Sequence, residues 1–99
     1  MDYADDRFEW DMTKAADNLK DHRVSFDAAR LAFDDPNAID DFLPDDSDDE
    51  DRYKRLCLGG GGLLAVIYTE RDQPARTTRY RIISAWKANK HEQARYLAG

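Results

Sequence analysis

The order of its patterns predicts an α+β domain, with helices packed on a sheet. Three observations point there. Two short amphipathic stretches fall in the first third of the chain, three strand-like runs follow between residues 52 and 85, and a polar stretch of helical composition closes the sequence. Helices in succession followed by antiparallel strands in succession mark a sheet covered by helices. Ninety-nine residues supply one modest core and not two, so 1–99 reads as a single domain.

Met1 to Asp6 is polar and expected to fray. Arg7-Phe8-Glu9-Trp10 alternates at period two and predicts a short first strand with Phe8 and Trp10 inward. Asp11 suits the N-cap of a helix over Met12 to roughly His22, where Ala15, Ala16 and Leu19 form a thin apolar stripe. Ser25 caps a second helix whose apolar surface is Phe26, Ala29, Leu31, Ala32 and Phe33. Asp34-Asp35-Pro36 ends it, because the residue before a proline is pushed out of the helical region.

Residues 34–51 hold ten acids and no base. Such a run reads as a solvated loop held open by self-repulsion, with an irregular strand or a charged gate as alternatives. Its spacing does not fit a calcium loop, and no glycine stands at the tight turn such a loop needs. Arg52 to Leu58 predicts a strand. Gly59 to Gly62 is a turn and not a phosphate loop, since no Lys-Ser/Thr follows and it leads into a strand. Leu63 to Tyr68 is a continuous apolar run, fitting a strand central to its sheet. Glu70 to Ala75, with Pro74, supplies a turn, and Thr77 to Ala85 reads as the antiparallel return strand. Strict alternation there puts Arg79, Arg81, Ile83 and Ala85 on one face and Tyr80, Ile82 and Ser84 on the other. With Arg71 at the mouth, this hairpin suggests a guanidinium cluster. Trp86 to Leu97 has helical composition and little apolar surface.

The net charge is −6, but it is divided. Residues 1–51 carry 18 acids and 5 bases, and residues 52–99 carry 3 acids and 10 bases. Only the second half has the sign a nucleic acid attracts. No apolar run is long enough to cross a membrane, no signal peptide is visible, and the single Cys57 has no partner for an internal disulfide. A cytoplasmic protein without membrane contact is the expectation.

Phe8-Glu9-Trp10-Asp11, Lys14-Ala15, Asn18, His22, Val24-Ser25-Phe26, Phe33-Asp34-Asp35-Pro36, Arg52-Tyr53, Tyr68-Thr69-Glu70-Arg71 and Arg81-Ile82-Ile83-Ser84-Ala85 closely resemble the BrnT family of bacterial toxins. The likeness runs through almost the whole chain in the right order. It implies a compact RelE-like fold and an endoribonuclease that works without metal or cofactor and stops translation. It also implies a hetero-oligomer with a ribbon-helix-helix antitoxin, BrnA, through which alone the chain meets DNA. The family reads Lys-His-Gly where this chain has Asp21-His22-Arg23, and Ile-Ile-Ser-Ala-Arg where it ends on Trp86. Both the Lys and the Arg lost are cations that the family uses in or near its active site.

Metal-free RNA cleavage needs a base, an acid and fixed positive charge where the phosphorane forms. Histidine is the side-chain type suited to proton transfer near neutrality, so His22 is the candidate for that role, the plain alternative being a helix C-terminal cap. Arg71 and Arg81 could brace phosphate by forked hydrogen bonds, or Arg81 could bridge to a carboxylate. Glu70 is either a base or the group that orients Arg71. Trp86 could stack on a base or anchor a core or interface. Two functional readings follow: a ribonuclease toxin weakened by Asp21 and Trp86, or an inactive module that binds the antitoxin and takes part in repression.

Overall fold

The predicted hairpin of apolar strand and arginine-rich return strand is formed, and the sheet extends from it on both sides. The computed structural model describes residues 1–44, 50–72 and 78–99. Its elements are β1 (Asp2–Ala4), β2 (Phe8–Asp11), α1 (Met12–His22), α2 (Phe26–Ala32), β3 (Ile39–Phe42), β4 (Arg52–Gly59), β5 (Gly62–Asp72), β6 (Thr78–Lys87) and α3 (Lys90–Ala98). The six strands lie in the order β1-β2-β6-β5-β4-β3. The apolar strand β5 is thus central, as its composition requires.

The sheet is mixed, which corrects the expectation of an antiparallel one. β2 runs parallel to β6, pairing Phe8 with Tyr80 and Glu9 with Arg81. Two helices and three strands separate them in sequence, so no tight turn dictates an antiparallel approach. The N-terminus is also more ordered than its polarity suggests. Asp2–Ala4 pairs antiparallel with β2, and the Tyr3 ring stacks on Trp10 with centroids 4.4 Å apart. The Asp5 carboxylate makes this turn by accepting from the N–H groups of Arg7 and Phe8. Burial alone would raise its pKa, but these N–H groups, the Tyr3 hydroxyl and the Arg30 guanidinium hold it at about 2.

The acidic segment is not one solvated loop. Ile39–Phe42 pairs antiparallel with β4, and Asp40 is gripped by Arg55 through Oδ1 at 2.8 Å and Oδ2 at 2.9 Å. Asp41 and Glu50 likewise meet Arg95 and Arg71, which offsets part of the repulsion within the charge run. Residues 45–49 and 73–77, including most of the expected Pro74 turn, lie outside the described residues.

Two further differences concern β6. The register shifts between Ile67 and Tyr68 of β5, which face Ser84 and Ile82, so Ile83 is a bulged residue of β6 without a partner. The extra residue shifts the alternation, so Ile82 and Ala85 both enter the core and Ala85 no longer shares a face with Arg81. The strand also runs on to Lys87, and the last helix starts at Lys90 rather than Trp86. Asn89 and Glu92 form a capping box that fixes this start.

The main core joins α2 to one sheet face through Phe8, Phe26, Phe33, Val66, Tyr68 and Ile82. A Cβ on Gly59 would meet the Ala32 Cβ at 2.8 Å, so glycine there lets α2 settle on β4. Alternation along β4 and β6 directs Lys54 and Trp86 to the opposite face, where α3 covers the fully buried Leu56 and Ala65. The result is three layers: helices, sheet, helix.

Helix α1 lies beside β6 where β2 has ended. Asn18, 5% exposed, accepts from the Ala85 N–H at 3.0 Å and donates to the Ala85 carbonyl at 2.8 Å and the Val24 carbonyl at 2.9 Å. Its amide takes the place of a neighbouring strand. The helix closes on Arg23 in the left-handed region at φ 60°, the position where the BrnT pattern has glycine.

In urea unfolding, Asn18→Ala is expected to lose about 3 kcal/mol by orphaning buried backbone groups. Arg23→Gly is expected to gain about 1 kcal/mol by relieving the left-handed conformation.

Candidate functional site

The four candidate residues fall into two groups on the fold. His22 ends α1, is exposed, and its ring lies 6.1 Å from that of Trp86. Glu70 and Arg71 are exposed near the far end of β5, and Arg81 pairs with Thr69 beside them. Trp86 is five residues along β6 from Arg81, roughly 16 Å at strand rise. The structure brings Arg71 and Arg81 to one face of the hairpin, puts Glu70 beside them on the other face with Tyr80, and leaves His22 at the other end of the sheet.

The guanidinium cluster expected from the hairpin exists. Arg71 faces Arg79 across the strands, and Arg79 and Arg81 project from the same side of β6. Each carries a carboxylate. Arg81 Nη1 lies 2.6 Å from Glu9 Oε2 and 3.3 Å from Asp2 Oδ2, Arg79 Nη1 lies 3.7 Å from Glu9 Oε1, and Arg71 Nη2 lies 3.4 Å from Glu50. Burial opposes the Arg81 charge, but Asp2 and Glu9 outweigh it and raise its pKa. The bridging alternative for Arg81 is therefore present in this structure. Glu70 lies in a polar depression with Glu50, Asp51, Tyr53 and Thr69, not directly on Arg71's ion pair.

The end near His22 is built differently. Asp21 and Arg23 flank His22 in the chain and the Trp86 ring lies 6.1 Å from its ring, so all three residues that depart from the BrnT pattern lie near this histidine. Trp86 is held by Glu92, whose Oε1 accepts from the indole N–H at 3.2 Å. Glu92 is 6% exposed, and its other oxygen lies 3.1 Å from Lys54 Nζ. Burial alone would raise its pKa, yet the Asn89 N–H, Lys54 and Trp86 keep the carboxyl below the usual range. Lys20, His22 and Arg23 make no ion pair among the described residues, in contrast to the arginines at the other end.

Reading the sequence alone leaves out the Glu92 tether, although Asn89 and Glu92 at capping-box spacing signal it. It also leaves Arg79 outside the candidate set, though it shares Glu9 with Arg81. Cys57 is fully buried and burial pushes its thiol up to about 12, so it is no nucleophile near neutrality. Among the described residues, no three His, Cys, Asp or Glu side chains are grouped to hold a metal ion. Among them also, no helix is long and apolar enough to cross a membrane.

The domain is a small mixed sheet with an exposed histidine at a helix end and arginines on its strands. Residues 10–92 match the model of the family described as the ribonuclease toxin, BrnT, of type II toxin-antitoxin systems, and the chain belongs to that family. Membership implies an RNA substrate and an antitoxin partner. No curated protein matches the chain.

Glu92→Gln removes the charge that holds Lys54 and should loosen α3 while sparing the sheet. Hydrogen exchange should accelerate over residues 90–98 by about tenfold, with β5 amides unchanged.

Proposed function

We propose that the chain is a metal-independent endoribonuclease that stops translation by cutting RNA, and that Asp21 and Trp86 weaken it. In this reading the three layers are a compact RelE-like arrangement, the partner is a BrnA-like ribbon-helix-helix antitoxin, and the complex works in the cytoplasm. The observation that carries the reading is that the two positions where the pattern has a cation and this chain has none, Asp21 and Trp86, lie next to His22, one adjacent in sequence and the other 6.1 Å away ring to ring. A histidine between two cations, as the BrnT pattern has it, could move a proton beside a phosphate whose growing charge those cations stabilise. Here an acid and an indole flank it. The proton-transfer group remains and part of the charge stabilisation is gone.

In the reaction, the 2′-oxygen attacks the adjacent phosphorus, the 5′-oxygen of the next nucleotide leaves, and protons pass from the first and to the second. His22 serves one of these transfers. Arg71 and Arg81 bind phosphates of the same strand beyond the cut, in exchange for Glu50 and Glu9, and Glu70 orients Arg71 or acts as base. The inactive, antitoxin-binding module is the second reading. It is favoured by one specific observation, the ion pairs that already occupy Arg71, Arg79 and Arg81.

Labelled RNA incubated with the chain in EDTA is expected to be cut slowly, and His22→Ala and Arg71→Ala to abolish cutting. Asp21→Lys with Trp86→Arg should raise the rate by about tenfold or more, the scale at which placed charges act in catalysis. No cleavage by either form would support the inactive module, and cleavage lost in EDTA would end the metal-independent reading.

A further inference from the structure

An apolar groove of about 480 Å³ runs between the β4–β5 turn and α3, lined by Leu58, Leu63, Ala88, Tyr96 and Leu97, with Lys87 and Gln93 at its edge. Leu58 is 53% exposed and Leu97 82%, so two large side chains of the groove stand in water. A second depression of about 290 Å³, bounded by Leu19, Arg23, Ala28 and Leu64, shares Gly61 and Lys87 with the first. Leu19 is half exposed. The two form one continuous surface around the hairpin tip.

Exposed leucines and cations without a carboxylate partner occur together on this surface. In the C-terminal half Lys54, Arg55, Arg71, Arg79, Arg81 and Arg95 each meet a carboxylate. Lys87 and Lys90 meet none among the described residues, and both are exposed. Lys90 precedes Gln93 by one helical turn and Leu97 by two, so it stands on the same face of α3 as the groove. Arg23, at the far end of the surface, likewise has no carboxylate. Leucines set among unpaired cations suit an amphipathic protein segment whose apolar residues enter the groove and whose carboxylates meet its rim. A nucleic acid would use the cations and leave the leucines in water.

We propose that this surface docks an acidic amphipathic helix of the antitoxin, an inference that rests on the antitoxin partnership of the family. A helix lying across both depressions reaches Arg23, and so comes to His22 next to it in the chain.

The test is the affinity of the purified cognate antitoxin for the full chain, by calorimetry. Leu97→Asp, and separately Lys87→Glu with Lys90→Glu, should each weaken binding by about tenfold or more, whereas the distant Lys14→Glu should leave it unchanged. All these positions are exposed, so circular dichroism should report an intact fold. An antitoxin with one acidic helix residue changed to Lys should regain affinity for the Lys87→Glu, Lys90→Glu chain. Unchanged antitoxin binding by both variants would overturn the proposal and leave the partnership standing. Loss of RNA binding alone in the lysine variant would reassign the surface to nucleic acid and overturn it too. If the unaltered chain does not bind the antitoxin, the partnership itself fails for this protein.

Discussion

A single buried amide joins the helical and sheet halves of the fold. Asn18 satisfies both main-chain groups of Ala85, two bonds that would otherwise belong to a neighbouring strand, and also donates to the Val24 carbonyl in the link to α2. Because β2 stops at Asp11 and the chain turns at once into α1, the edge of β6 beyond Ile82 would be bare without it. The side chain therefore fixes where α1 lies, and with it where His22 falls relative to Trp86. A carboxamide is the side-chain group that can both donate and accept at this spacing, whereas an aspartate would face the Ala85 carbonyl with like charge.

Part of the uneven charge of the sequence is used to join the two halves. Acids of the first half meet bases of the second across the sheet: Asp2 and Glu9 with Arg81, Asp40 with Arg55, Asp41 with Arg95 and Glu50 with Arg71. Most of these pairs are partly exposed, where each contributes little on its own. Their larger effect is positional. Arg55 lies 3.9 Å over the Phe33 ring and donates to the Phe33 carbonyl while Asp40 also receives the Tyr68 hydroxyl, so β3 closes the open end of the aromatic core. Attraction between halves does here what a longer apolar strand would do in a larger domain.

Much of this was legible in the sequence. Asp11 and Ser25 are N-caps that accept from first-turn N–H groups, and Leu63 to Tyr68 lies in the central strand. Local signals located these elements because capping and apolar runs act over a few residues. What escaped depends on distance. The parallel pairing of β2 with β6 spans some seventy residues, the bulge at Ile83 arises from the register of two strands, and the order in Ile39–Phe42 comes from arginines elsewhere. The candidate site divides the same way: Arg71 and Arg81 were placed together by hairpin logic, while the separation of His22 from them depends on where α1 packs. Family resemblance named the chemistry and could not supply that geometry.

The parallel pairing also orders events in time. β6 lies between β2 and β5, so the N-terminal strands join the sheet only through a segment made in the last quarter of the chain. Until then Phe8 and Trp10 have no strand to rest against, and β1–β2 is too short a ribbon to persist alone. Closing such a long loop is slow compared with forming the β4–β5 hairpin, and it waits until residues 78–87 have been made. A chain cut short before residue 78 lacks the strand that unites the domain. The topology thus makes the first strands of the chain wait for residues 78–87 before they can join the sheet.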